Sequence, residues 1–401
     1  MDSRDTSGAS ETGGRKRRAE SAGTSRRRFL QSAGVTAGIA SLAGCTDFLS
    51  GESDEPGNNT TTTSDFGQIG SGRTGDQIQG GTSMQDMPDL SGEITVYSGR
   101  GEALVGELIS YIEGLYPDLT IQPRYEGSSQ LVQKILNEGE NSPADVFFSV
   151  NAGSLGFLKD EGRTVELSDE ITGMVREEFH DPDGNWVGTS GRARTIPYNT
   201  DTFSESDIPT DIMAFPDADQ FSDDIGWAPS YGSFQAFVTA MRILNGREAT
   251  KQWLEGMIEL GVQEYTDEFA IALAVADGEI SAGFTNHYYI QRVLADREDA
   301  PLATAFTEGD AGAIFNVAGA AVVDTAQDQE MAANFVRHLL SAEAQAYFAT
   351  TTYEYPLIPE VEPIGDLPTI DELNPPADLD LTQLSDIRPT LDLMREVGIS
   401  V

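Results

Sequence analysis

"EITVYSGRGEALVGELISYIEGLYPDLTIQPRYEG", residues 93–127, changes its apolar period twice. "EITVYSG" (93–99) has strand character. "EALVGELISYIEGLYPD" then sets Leu104, Val105, Leu108, Ile109, Ile112 and Leu115 on one stripe, the mark of an amphipathic helix. "TIQPRYEG" is a second strand, and Pro123 leaves its pairing open because proline donates nothing to a ladder. "SSQLVQKILNEG" follows as a helix capped by Ser128 or Ser129, and "ADVFFSVN" (144–151) is a strand apolar enough for burial. "AGSLGFLKDEG" is a short helix. A β-α-β-α-β order implies a parallel sheet with right-handed crossovers.

The pattern restarts beyond "TIPYNTD". "DDIGWAPS" is a strand and "YGSFQAFVTAMRILNG" a helix closed by Gly246. "KQWLEGMIELG" and "AIALAVADGE" are further helices, "ISAGFT" a strand and "NHYYIQRVLADRE" a helix. "AANFVRHLLSAEAQAYF" (332–348) reads as one strongly amphipathic helix. Two α/β lobes suit residues 91–401. Ligands of such sheets sit beyond strand C-terminal ends, facing helix N-termini. Here that edge carries "SGRGE", "SVNAG", "PSYGS" and "TNHYY".

The N-terminal segment has a different character. "SRRRFL" (25–30) precedes the weakly apolar "AGVTAGIASLAG", which falls short of the ~20 residues needed to span a bilayer. Arg26-Arg27 before that run resembles a twin-arginine export signal. Leu42-Ala43-Gly44-Cys45 resembles a lipobox, which would make Cys45 a lipid-bearing N-terminus. Residues 1–44 are therefore assigned to the signal. Residues 45–90, rich in Gly, Ser, Thr and Asp, are assigned to a disordered stalk, with N-x-T sequons at Asn58 and Asn59. This layout holds a folded domain outside the membrane on a lipid anchor, as suits a capture protein for a transporter.

Composition narrows the function. The chain carries 66 acidic and 25 basic residues, a net charge of −41. The first 44 residues hold eight basic and four acidic side chains, so the remainder stands at −45. Such a surface repels nucleic acid. Lysine occurs only at 16, 134, 159 and 251. An acidic, lysine-poor surface that stays hydrated at high salt fits a halophile, so the charge reports habitat rather than substrate. Cys45 is the sole cysteine and His180, His287 and His338 the only histidines, which argues against disulfides, cysteine clusters and multi-histidine metal sites. No Walker loop or dinucleotide fingerprint occurs, and "GTSGR" lacks the context of a nucleophile elbow, so an enzyme is not expected.

Taken together, "ITVYSGRGE", "LNEGENSPADVFFS", "WVGTSGRARTIPYNTD", "GWAPSYGSFQAFVTAMR", "ADGEISAGFTNHYYIQR", "GAIFNVAGAAVV", "FVRHLLSAEAQAYF" and "EYPLIPEV" resemble the ferric-iron-binding proteins of ABC importers, in that family's order over most of 93–361. The resemblance implies the two-lobed periplasmic-binding-protein type 2 fold, each lobe a doubly wound, mostly parallel α/β sheet with flanking helices. It places lobe 1 at 91–193 and 318–366, and lobe 2 at 194–317 and 367–401. It implies Fe(III) bound through the phenolates of Tyr288 and Tyr289. Tyr231, in Pro229-Ser230-Tyr231-Gly232, resembles the third tyrosine of one subset of the family. The family's usual N-terminal histidine is absent, with Gly101 and Glu102 in its place. Val150 and Asn151 stand where many members have an acid, and Glu268 stands for an anion-holding asparagine.

The chemistry agrees with that expectation. Fe(III) is a hard cation that prefers anionic oxygen, and three phenolates would balance its charge. Tyr288 and Tyr289 lie at one expected helix start and Tyr231 just before another, where helix dipoles favour phenolate by about 0.3–1 kcal/mol each. Glu102 is a candidate carboxylate ligand. Arg100, Asn151, Arg192, Arg194, Tyr198, Ser230, Gly232, Glu268, Asn286 and His287 are candidates for the shell around the ion or for the cleft, His287 as a helix cap or interlobe group rather than a ligand. The expected partner is the permease of an ABC importer, with the protein a monomer anchored on the extracellular face of the membrane. The alternatives are the same fold holding a small organic or phosphorus-containing solute, and an extracellular hydrolase.

Overall fold

β1 (Gly92–Ser98), α1 (Glu102–Leu115) and β2 (Leu119–Tyr125) form the expected β-α-β unit. The structure, a computed structural model, describes residues 80–401. The twin-arginine segment, Cys45 and the sequons at Asn58 and Asn59 lie outside the described residues. β1 pairs β2 in parallel from Gly92↔Leu119 to Ser98↔Tyr125, with Pro123 opposite Val96. Pro123 is tolerated because β2 is the edge strand of its sheet. Val105, Leu108, Ile109 and Ile112 of the α1 stripe are buried, while Leu104 and Leu115 are half-buried at its margins.

α2 (Ser128–Glu138), β3 (Val146–Ser149) and α3 (Ala152–Asp160) follow. Gly127, rather than Ser128 or Ser129, caps α2. The Ser128 hydroxyl is instead spent across the loop, accepting from Val150 N at 3.1 Å. After β4 (Thr164–Val165) and α4 (Asp169–Thr172), the chain enters β5 (Val187–Asn199), the longest strand. The second half holds β6 (Ile225–Trp227), α5 (Gly232–Leu244), α6 (Arg247–Leu260), β7 (Gln263–Glu264) and α7 (Glu268–Asp277). It continues with β8 (Ala282–Gly283), β9 (Thr285–Asn286), α8 (His287–Asp296) and β10 (Leu302–Ala305). β11 (Phe315–Val323), α9 (Gln329–His338), α10 (Ala342–Thr350), β12 (Tyr355–Pro356) and α11 (Arg388–Glu396) complete the chain.

The pairing order is β2-β1-β3-β11-β5-β8-β6-β7. The expected mostly parallel sheets are mixed. Parallel pairs occupy the two outer ends, but β11 runs antiparallel to both β3 and β5, and β5 antiparallel to β8, β9, β10 and β12. The connections that enter and leave the second half are long strands rather than βαβ crossovers, and a strand that returns directly pairs antiparallel.

One apolar core runs from Met84 to Ala193 and from Phe315 to Leu367. Two others serve the second half: one spans Ile196–Ile314 and closes with Leu384, Leu393, Met394 and Ile399, and the other gathers α7 and α8 with Tyr353. The folded part begins earlier than residue 91. Met84, Met87 and Leu90 are buried, Glu343 accepts from Met84 N and Ser83 Oγ, and Tyr116 donates to Met84 O. Met84, Met87 and Leu90 recur every third residue, but three apolar side chains in a polar stretch broken by Pro88 are too few to mark an element. The single helix expected over 332–348 is two helices: α9 ends near His338, and Ser341 accepts from Ala344 N to cap α10. A serine followed by Ala-Glu-Ala is a competent helix start, and it wins inside an otherwise continuous apolar pattern.

Candidate metal centre

Asn286 caps α8, so Tyr288 and Tyr289 occupy its first turn. Tyr231 is the N-cap residue of α5. These two helix starts face each other. Tyr231 Oη and Tyr289 Oη share a short hydrogen bond, with their rings edge-on and centroids 6.2 Å apart. The rings of Tyr288 and Tyr289 lie 4.3 Å apart, and Asn286 Nδ2 donates to Tyr288 Oη at 3.3 Å. The three phenols thus gather at one place, Tyr231 and Tyr289 through a shared proton and Tyr288 beside Tyr289. Among the described residues, no group of three His, Cys, Asp or Glu side chains is arranged to hold a metal ion. Arg292 lies over both rings of the pair, 5.4 and 5.6 Å from their centroids.

Tyr288 and Tyr289 sit where the neutral phenol is favoured. Burial pushes the Tyr288 hydroxyl above its ordinary range, with Glu268 adding to the effect and Arg192 opposing it. Burial likewise raises Tyr289, reinforced by Tyr288 and Tyr231. The dipole preference for phenolate expected at a helix start is outweighed, because removing a charge from water costs more than a dipole returns.

Tyr231 and Tyr288 open onto a cleft of about 420 Å³ lined by Asn151, Arg192, Arg194, Gly232 and Asn286, with Ser129, Ser154, Asn316 and Ser385 at its margins. Asn151 caps α3, its Oδ1 accepting from Ser154 N at 2.8 Å. Arg192 donates to Val150 O and makes no ion pair among the described residues. Its Nε, with Nε and Nη2 of Arg194, is buried without a hydrogen-bond partner; Arg194 is paired with Glu268, which leaves Arg192 as the cation of the cleft lining without an ion pair among the described residues. That is notable on a chain of net charge −41.

Several expected site residues lie elsewhere. Glu102 is exposed at the start of α1 and is absent from the cleft lining; its charge acts instead on the Tyr125 hydroxyl, which burial already pushes up. Arg100 is buried inside lobe 1, paired with Glu354 at 2.6 Å and Ser190 at 2.7 Å between the rings of Phe148 and Phe348. Burial pushes the Glu354 carboxyl up, but Arg100 and Arg192 together hold it below its ordinary range. The "SGRGE" loop therefore supplies a buried ion pair instead of a cleft wall. Tyr198 packs into the second core from β5, and burial raises its hydroxyl. Ser230 is exposed and does not line the cleft. His287 neither caps α8 nor faces the cleft: it is fully buried, its Nδ1 accepts from Ala193 N at 3.1 Å, and burial pushes it down to about 3. A neutral, enclosed imidazole of this kind braces α8 against β5.

One residue, Tyr353, escaped the sequence reading; Glu268 was named there, but not its burial or its partners. Tyr353, at φ 60°, packs into the cluster that holds Tyr288 and Tyr289 although its neighbours belong to the first half. Glu268 is fully buried and bonds to Arg194, Ser233 Oγ and Asn286 N. In a chain with 66 acids, nothing local distinguishes that carboxylate from a solvated one.

Comparison with known proteins supplies the context. The profile described as "Bacterial extracellular solute-binding protein" matches residues 108–374. The "Major ferric iron-binding protein" of Neisseria meningitidis is 29% identical over 77% of this chain and 93% of its own length. "Iron uptake protein A2" of Synechocystis is 31% identical over 68% of this chain and 81% of its own. Iron-bound HitA from Pseudomonas aeruginosa superposes with a TM-score of 0.68 at 28% identity, covering 77% of this chain and 99% of that one.

Proposed function

The chain belongs to the bacterial extracellular solute-binding protein family, and on that premise we propose that it captures Fe(III) between its two lobes for delivery to an ABC importer. The observation that carries this reading is the convergence of Tyr231, Tyr288 and Tyr289 at two facing helix starts on one cleft. A trivalent cation replaces the phenol protons, and three phenolates neutralise it. Relatives whose names record ferric iron or bound iron support the same cargo. Arg192 and Arg194 orient anionic groups that approach with the ion. Capture and release require no bond-making on this chain, only closure and reopening of the lobes around β5 and β11. Cys45 carries a lipid after twin-arginine export, the stalk sets the reach, and the monomer docks on a permease at the outer face of the membrane. The acidic surface keeps the domain soluble in a saline medium.

Purified protein given Fe(III) is expected to turn red-orange through phenolate-to-iron charge transfer and to retain one ion through gel filtration. A colourless protein that passes iron through would sink the iron reading. The uncommitted donors of Arg192 and Arg194 favour a second reading in that event, an anionic small solute in the same cleft.

A further inference from the structure

Glu268 sits where a carboxylate is costly, fully buried in the first turn of α7. It does not cap that helix, because Asp267 Oδ1 already accepts from Ala270 N at 2.9 Å. Its oxygens reach outward to three other elements. Oε1 accepts from Arg194 on β5 and from the Ser233 hydroxyl in the first turn of α5. Oε2 accepts from Asn286 N at 3.0 Å, one of the backbone donors that α8 leaves unsatisfied at its start. Ser233 lies two residues after Tyr231, and Asn286 two residues before Tyr288. One carboxylate therefore ties together both tyrosine-bearing turns, α5 through the Ser233 hydroxyl and α8 through the Asn286 backbone, and pins them to the strand on which Arg194 stands opposite Asn286.

The geometry points to Glu268 as the positioning residue of the tyrosine cluster: it fixes the separation of the α5 and α8 starts so that three phenol oxygens meet at one point. This rests on the reading that those oxygens bind Fe(III). Three donors converge on the carboxylate, and a carboxylate only accepts. Glu268→Gln has one accepting oxygen and one NH2. If the oxygen faces Arg194, the NH2 opposes Asn286 N–H; if it faces Asn286, the NH2 opposes the guanidinium. Either way one tyrosine-bearing turn or the strand anchor loses its tie. Ser233→Ala removes only the α5 tie and leaves the buried ion pair whole, so it tests positioning without the cost of an unpaired buried charge.

The test measures Fe(III) affinity by competition with nitrilotriacetate, together with the wavelength of the charge-transfer band at saturation and the melting temperature of the iron-free protein. Glu268→Gln is expected to weaken iron binding by roughly 10- to 100-fold, the range for losing a group that supports a metal ligand. Its band at saturation should move from the wild-type position. Ser233→Ala is expected to shift the band in the same direction and weaken binding by a smaller factor, with a wild-type melting temperature. A folded Ser233→Ala protein with wild-type band and affinity overturns the assignment, whether or not Glu268→Gln folds. If wild type itself shows no band and takes up no iron, the iron reading falls and this assignment falls with it; a coloured wild type with unaltered variants removes only the role of Glu268.

Discussion

A phenol buried beside two others is a poor acid and, for the same reason, a good trap for a trivalent cation. Burial holds Tyr288 and Tyr289 protonated in the iron-free protein, so each phenol that becomes a ligand must surrender a proton. Sign follows directly: lowering the pH favours the protonated, empty form. Apparent affinity is expected to fall by about tenfold per pH unit for every proton released, with a slope approaching three between pH 7 and 5. Tyr288→Phe, Tyr289→Phe and Tyr231→Phe should each lower that slope by one. Each should also weaken binding beyond the roughly 100-fold limit for supporting groups. Proton release into weakly buffered solution on adding Fe(III) reads the slope; a variant with the full wild-type release keeps its tyrosine off the ligand set. At this scale the adjacency of Tyr288 and Tyr289 and their place at a helix start were legible, both being local signals, whereas Tyr231 lies 58 residues from Tyr289 and was joined to them only through the family resemblance. The surroundings of Glu268, Arg100 and His287, all three named as candidates, were not, since they are made by residues 74, 254 and 94 positions away.

At the scale of elements, helices and strands followed their apolar periods, and departures occurred where a single polar residue overrode the period. Ser341 splits one expected helix into α9 and α10. The mixed pairing of β11 was not legible, because strand direction is decided by where the chain has to return rather than by composition. Contact between α3 and the turn Leu381–Ser385 gives a prediction. A Cβ on Gly156 would lie 2.7 Å from Thr382 Cγ2, and one on Gly153 2.8 Å from Ser385 Cβ. Alanine in a helix gains about 1 kcal/mol over glycine. Overpacking costs about 1–3 kcal/mol, so the clash wins at Gly156. Gly114, exposed in α1 with nothing within 4 Å of its Cβ, has only the gain. Denaturant unfolding should show Gly156→Ala less stable than wild type and Gly114→Ala more stable; equal shifts would mean that the turn moves freely off α3.

For the whole molecule, a net charge of −41 makes self-repulsion the term most open to manipulation. Screening shortens from about 10 Å at 0.1 M salt to about 3 Å at 1 M. The melting temperature is expected to climb steadily from 0.1 to 2 M KCl, and a flat dependence would detach stability from the acidic surface. The two-lobed architecture was legible because the β-α-β pattern restarts once. The way the lobes are joined was less so, and it governs how the protein is made. β3 gains its inner neighbour only with β11, and the second core closes only with α11, which packs on α5 and α6. A ribosome that has passed codon 314 has therefore finished neither half, and a message cut before codon 388 encodes every strand but leaves the second core without Leu393, Met394 and Ile399. Such a chain matures as a completed polypeptide, not in stages, and is suited to a secretion route that accepts its passengers only after folding.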